Sequence, residues 1–342
     1  MDTGQYYNED EQDEERGSGN GFTFEVRDAP EDLSIDPVPT SKDKIQQPEL
    51  AEHEDMFIPP IGSSVVISGK SGSGKSTLLA RLITDGRFYG PSSKKPDGWF
   101  DKIFLFSPTA NGDDVQRALN IDKKHVFTDL DEAPELLDVI LDSQQEKLDD
   151  ADGADKVEQY AIIFDDVIGN TQFMNETSFT RCFYQVRHVN CTTFICTQHF
   201  KRVPRVCRLQ ANFIFFFQGS ASEVETVVEE FAPPEYTSRE MKTLINEATK
   251  ERYSFLTINM KVGWDRRFRR NLDEFIVLHR LVGREDDAGG DKKKKKKKKR
   301  EKKKLCMEKK AKLVDETADI ITGDRSTTYE ESYKYDREEC PR

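Results

Sequence analysis

Gly69, Gly74, Lys75 and Ser76 fill the four fixed places of G-x-x-x-x-G-K-[ST] within VVISGKSGSGKSTLL, the stretch from Val65 to Leu79. Glycines at those places let backbone N–H groups curl around a phosphate, and a helix beginning behind them favours negative charge. A lysine then reaches the β and γ oxygens, and a hydroxyl next to it ligates Mg²⁺. The expected nucleotide-contacting set is Gly69, Lys70, Ser71, Gly72, Ser73, Gly74, Lys75, Ser76 and Thr77, with ATP and Mg²⁺ as the ligands.

A triphosphate site also needs a carboxylate for the metal, and YAIIFDD at Tyr160 to Asp166 supplies two. The apolar run Ala161 to Phe164 suits a strand buried on both faces, so the acids at its end emerge where open α/β sheets bind ligands. Asp165 is expected to share Mg²⁺ with Ser76, and Asp166 to polarise the attacking water. In isolation the acid pair reads more simply as a solvated turn; the phosphate loop upstream favours the chemical reading. A third apolar run, TTFICTQ at Thr192 to Gln198, ends in polar residues. If it lies beside the metal strand, Thr197 and Gln198 face the γ-phosphate, where an amide can orient water. A strand-end glutamine alone is usually just exposed.

The elements that must position these residues can be read from hydrophobic patterning. Val65 to Ile67 forms a strand ahead of the loop, and Thr77, Leu78, Leu79, Ala80 and Leu82 a core-facing helix behind it. Further strands are expected at Lys102 to Phe106, His125 to Phe127, Ala161 to Phe164, Thr193 to Cys196, Asn212 to Phe217, Ser254 to Ile258 and Phe275 to Leu278. Helical periodicity falls at Ala133 to Lys147, Thr177 to Val189, Ser222 to Phe231 and Ser238 to Ala248. This alternation predicts an α/β fold with a mostly parallel sheet and helices on both faces. About 95 residues separate Gly69 from Asp165, and they include the strand pattern KIFLF. That argues for a strand inserted between the loop strand and the metal strand, as in recombinase-like motors. The base-reading N-K-x-D of GTPases and the L-S-G-G-Q of transporter subunits are absent from the sequence.

Charge is unevenly spread over the 342 residues, whose formal net is −12. Met1 to Asp55 holds 17 acids against 4 Lys or Arg, and a segment so poor in apolar residues cannot offset its ordering entropy. Asp291 to Lys304 reverses the sign, with 11 Lys and one Arg against two acids. The six cysteines lack paired C-x-x-C and histidine spacing, which argues against zinc and for a reducing, intracellular setting. No run has the length of a membrane span, and the acidic N-terminus has no secretory pattern.

The order GKSGSGKST, IIFDDV, RHVNCTTFICTQHFKRVPRVCRLQANFIFFF and RRNLDEFIV resembles the viral genome-packaging ATPases of the poxvirus type, within the FtsK and HerA superfamily of DNA-translocating motors. The resemblance spans roughly Ile61 to Gly283 and is most specific between Arg187 and Phe217. It implies a P-loop NTPase fold of RecA/FtsK type and an ATP-driven double-stranded DNA translocase that packages a viral or virus-like genome into capsids. A cellular motor or helicase, and a non-catalytic nucleotide-gated regulator of nucleic acid, are the alternatives. Lys75 and Ser76 match the family's nucleotide and Mg²⁺ residues, Asp165 its metal carboxylate and Gln198 its polar sensor. Asp166 stands where cellular members usually have Glu.

The family works as a ring in which one subunit supplies an arginine to the next. Arg187, Arg202, Arg205 and Arg208 are the candidates, with Arg187 and Arg205 foremost. The implied partners are duplex DNA, further copies of the chain and a capsid or portal component, with no membrane. The resulting layout is an acidic disordered arm over 1–55, a motor domain over 56–285 and a basic, then mixed-charge, largely disordered tail over 286–342. The run Lys292 to Lys299 with Arg300 reads as a nuclear signal, a DNA tether or a solvated tail, so the host nucleus and the virion assembly site are both expected locations. RRFRR at Arg266 to Arg270, beside Trp264, reads either as part of a DNA path or as a basic turn between two strands.

Overall fold

Every residue of β1 (Ser64–Ser68), β4 (Tyr160–Asp165), β5 (Cys191–Thr197) and β6 (Phe213–Phe216) is buried. Apolar runs of this kind have no polar alternate to show to water, so they occupy the middle of a sheet covered on both faces. The computed structural model describes residues 45–110 and 118–276, which fall in one compact unit ending at Ile276. With β2 (Lys102–Phe106), β3 (Val126–Phe127), β7 (Leu256–Asn259), β8 (Phe268–Arg270) and β9 (Glu274–Phe275), these strands form a sheet in the order β3-β2-β4-β5-β1-β6-β7-β8-β9. Strands from β3 to β6 run parallel, and β7, β8 and β9 extend the sheet antiparallel.

Packed on the sheet are α1 (Glu49–Glu52), α2 (Lys75–Thr84), α3 (Ala133–Asp150), α4 (Thr171–Asn175), α5 (Thr177–Tyr184), α6 (Arg205–Gln210), α7 (Ala221–Phe231) and α8 (Ser238–Ala248). Side-chain alternation along the strands sorts the core into two layers. Ile162, Phe164, Val66 and Ile195 point to one face, with Leu137 of α3, Phe179 of α5, Val227 of α7 and Leu244 of α8. Ala161, Ile163, Val65 and Ile67 point to the other, with Leu79, Leu82 and Ile83 of α2. Burying each large apolar side chain of α2 is worth roughly 1.5–3 kcal/mol. That pins the helix and keeps its N-terminus at the end of β1.

Several expectations need correction. The strand inserted between β1 and β4 is β5; KIFLF, which is β2, lies on the far side of β4. Sequence order misled here because a crossover can return on either side of a strand. The helix expected to reach Val189 ends at Tyr184 and gives way to a 3₁₀ turn, Val186–His188. His125 closes a 3₁₀ turn, so β3 starts one residue later. RRFRR is a turn only in part: Arg266 and Arg267 end the link from β7, and its last three residues are β8, paired with β7 and β9. The strand expected over Phe275 to Leu278 begins at Glu274, and Val277 and Leu278 lie outside the described residues.

The end of the expected acidic arm also folds. Ala51 is buried, Phe57 N donates to Leu50 O at 2.9 Å, and Ile61 N donates to Gln47 Oε1 at 2.6 Å. The remaining arm to residue 44, the lysine run 292–300 and the rest of the tail lie outside the described residues. Among the described residues no helix is long and apolar enough to cross a membrane.

Candidate nucleotide site

The phosphate loop is the link between β1 and α2, and its glycines are required by contact and by dihedral angle. Gly74, the N-cap of α2, has φ 105°, a region that side-chain-bearing residues enter only under strain. A Cβ on Gly69 would stand 2.5 Å from Phe217 Cβ and 2.8 Å from Ser73 Oγ, so no other residue fits there. Gly69 N donates to Thr197 O at 3.1 Å and Ser73 N to Lys70 O at 3.2 Å, which ties the loop to β5 and closes it on itself. Leu78 N is the donor to Gly74 O at 2.9 Å. The N–H groups of Lys75, Ser76 and Thr77 precede the first such bond, so they have no partner inside the helix. Lys75 is 7% exposed, and its Nζ donates to the Lys70 carbonyl at 3.0 Å, across the loop.

Strand register brings the acids to the same edge. Asp165 pairs with Cys196, and Thr197 with Ser68, the residue before Gly69. Asp165 is buried at the end of β4. Asp166 N donates to Cys196 O at 3.3 Å, and its φ of 51° is a left-handed conformation uncommon for a residue with a side chain. Gln198 Nε2 donates to both carboxylate oxygens of Asp166, at 3.2 and 3.1 Å. Cys196 reports the convergence of these charges. Burial pushes its thiol well above the usual range, Asp165 and Asp166 push it further, and Lys75 pulls it back.

These residues fit a triphosphate on one further ground. Ser73 Oγ is buried without a hydrogen-bond partner, as a phosphate-facing hydroxyl would be before its ligand arrives. Among the described residues no three His, Cys, Asp or Glu side chains form a metal cage. Mg²⁺ needs none, since it takes one or two protein oxygens and completes its shell with phosphate and water.

The arginines divide by position. Arg187 is exposed on the turn ahead of β5, at the edge of the parallel strands opposite the loop, where its Nε donates to His188 Nε2 at 3.1 Å. Arg202 and Arg205 lie on the link from β5 to β6; Arg205 is 73% exposed, with Nε 3.5 Å from Glu230. Arg208 is spoken for within its own subunit: Nε and Nη2 donate to Glu230 at 2.8 and 2.6 Å, and Nη1 to the Lys201 carbonyl at 3.0 Å. The RRFRR arginines are likewise engaged. Arg266 reaches Asp55 at 3.4 Å, Arg267 lies 3.5 Å from the Trp264 ring centroid, and Arg269 is fully buried, donating to Met56 O at 2.9 Å.

Two supports of the site escaped sequence reasoning. His199 Nδ1 lies 3.5 Å from Glu223, whose carboxylate also accepts from Ser220 N at 3.0 Å, so the start of α7 steadies the segment carrying Gln198. The S-x-x-E spacing of Ser220 and Glu223 is a capping-box signal that would have placed this helix start. Phe217, one residue past β6, packs under Gly69 and Gly74. No local signal marks it.

A sequence profile of the family described as Poxvirus A32 protein matches residues 62–269. No curated protein sequence matches the chain. Among solved structures it is similar to the genome packaging NTPase B204 of Sulfolobus turreted icosahedral virus 2 in complex with AMP, at 15% identity, over 63% of this chain and 98% of that one, with a TM-score of 0.43. B204 of Sulfolobus turreted icosahedral virus, a DNA-packaging ATPase, gives 13%, 64%, 99% and 0.42. EssC (ATPases 2 and 3) from Geobacillus thermodenitrificans gives 11%, 66%, 41% and 0.43. With the profile covering well over half of its length, the chain belongs to the Poxvirus A32 protein family and is a P-loop ATPase.

Proposed function

We propose that this ATPase is an ATP-driven translocase of double-stranded DNA that packages a viral or virus-like genome into capsids. The observation that carries the reading is the meeting of Lys75, Asp165 and the Asp166–Gln198 pair at one edge of β1, β5 and β4, in a chain of this family. Lys75 and the first N–H groups of α2 hold the phosphates, and Ser76 with Asp165 would hold Mg²⁺, which when bound screens phosphate charge. Asp166 takes its orientation from Gln198: the amide donates to both carboxylate oxygens and so fixes their plane. A carboxylate fixed in this way is suited to order a water and take its proton.

Phosphoryl transfer leaves developing charge that one subunit does not fully neutralise, and an arginine from the next copy in a ring would do so. Arg187 supports that arrangement, because it is exposed on the edge remote from its own loop; Arg205 is the other exposed candidate. Duplex DNA and a capsid or portal component are the partners in this reading. The host nucleus or the virion assembly site is the place of action.

The test is ATP hydrolysis with and without duplex DNA at several salt concentrations. Duplex DNA should raise turnover. Deleting residues 292–304 should weaken DNA binding and flatten its salt dependence, by about 0.9 in log-log slope for each phosphate that the protein no longer neutralises. Hydrolysis indifferent to DNA would leave a nucleotide-gated switch as the better reading.

A further inference from the structure

The two ends of a triphosphate in this loop are distinguishable. Asp165 and Gln198 lie on the β4–β5 side of β1, so the γ-phosphate end must point that way. The nucleoside end must then emerge on the opposite side, over the start of α2 and toward β6 and β7. There the turn between α8 and β7 presents an aromatic side chain. Tyr253 is 53% exposed, and its ring carbon Cδ1 would lie 3.4 Å from a Cβ on Gly74. Its φ of 68° is a left-handed conformation, held by a turn in which Ser254 N and Oγ both donate to Glu251 O, at 3.2 and 2.8 Å. Beneath it Phe217 and Phe255 pack with ring centroids 5.0 Å apart, both buried. The Arg252 guanidinium lies over the Tyr253 ring, 4.6 Å from its centroid.

We propose that Tyr253 is the base platform of this site: the nucleobase stacks on its exposed ring, and Arg252 swings outward to cover the base from solvent. The proposal rests on the nucleotide-hydrolysing reading above and adds the recognition of the base to it. Tyr253 packs one edge against Gly74 and leaves 53% of its surface open beside the phosphate loop, where a planar ligand can meet its ring. Stacking uses the π-face that every base shares, so it gives affinity without reading base edges. ATP and GTP should therefore depend on Tyr253 to the same degree.

Steady-state kinetics on the full-length chain test this. Tyr253→Ala keeps a Cβ, and so the same backbone strain, while removing the ring. It should raise KM for ATP and for GTP about 10-fold, the scale of one base stacked on one ring, with kcat within about twofold of the parent. Inhibition by tripolyphosphate, which has no base, should be unchanged, and Tyr253→Phe should restore KM. If the alanine variant melts early, Tyr253→Leu preserves bulk against Gly74 and gives the same readout. An unchanged KM, or tripolyphosphate inhibition weakening in parallel with ATP, would overturn the platform, the second because Tyr253 would then be shaping the loop. Absence of hydrolysis in the parent protein would instead sink the underlying reading.

Discussion

β4 begins at Tyr160 and ends at Asp165, and the charges around its two ends are handled in opposite ways. At the first end Lys102 and Lys147 reach the same Glu158 oxygen at 3.0 and 2.8 Å, and the Tyr160 hydroxyl donates to it at 2.7 Å. Lys147, then Tyr160 and Lys102, hold the Glu158 carboxyl at about 2. Cation and anion there satisfy each other. At the other end two carboxylates are consecutive in the chain, and the nearby ammonium of Lys75 donates to a backbone carbonyl. Charges closed among themselves hold strands together; a cation set against a neutral partner retains attraction for a ligand's charge. Substitutions at the two ends should therefore fail in different assays.

Lys75→Ala should have the largest effect, lowering kcat by about 1,000-fold, the upper range for loss of one group that stabilises transition-state charge. Its melting temperature should stay near the parent value. Turnover close to normal would break the contrast at the loop end. Asp166→Asn should lower kcat by about 100-fold with ATP binding preserved, since a positioned base is worth that much. Asp165→Asn should instead raise the Mg²⁺ concentration needed for half-maximal hydrolysis. Titrations of Mg²⁺ and single-turnover rates separate the two, and equal loss of ATP binding in both would show that the adjacent acids share one role.

Glu158→Gln should be the smallest and should appear in stability alone. Glu158 and both of its lysines are each at least a third exposed, so screening limits the loss at neutral pH to about 1 kcal/mol. The folded-state value of about 2 lies below the ordinary 4.5, so this contribution is complete above pH 4.5 and is lost as pH falls through 2. Urea melts between pH 5 and pH 2 should show the parent losing stability that the glutamine variant no longer has to lose. A variant whose ATPase activity falls while its stability holds would reverse the comparison.

The phosphate loop was legible because its requirements are local: the glycines that must bend and the lysine that must reach are neighbours in the chain. Asp165, Asp166 and Gln198 were legible for a related reason, since each follows a buried apolar run that declares its own end. β8 was not. Its three residues are Phe268, Arg269 and Arg270, and a strand with a fully buried arginine carries no alternation to read. Arg269 is accommodated by the Met56 carbonyl and the Phe57 and Phe275 rings, partners that sequence does not place beside it.

From the sequence alone followed the chemistry of a nucleotide site, the α/β alternation and the family resemblance, because glycine dihedrals, strand burial and helix periodicity act within a few residues. Tertiary structure alone decided that β5, not β2, separates β1 from β4, that Arg208 belongs to Glu230, and that Tyr253 lies against Gly74 from far along the chain. Each of those depends on which side a crossover returns and on the register in which strands then pair. Neither is written into the residues that make the contact.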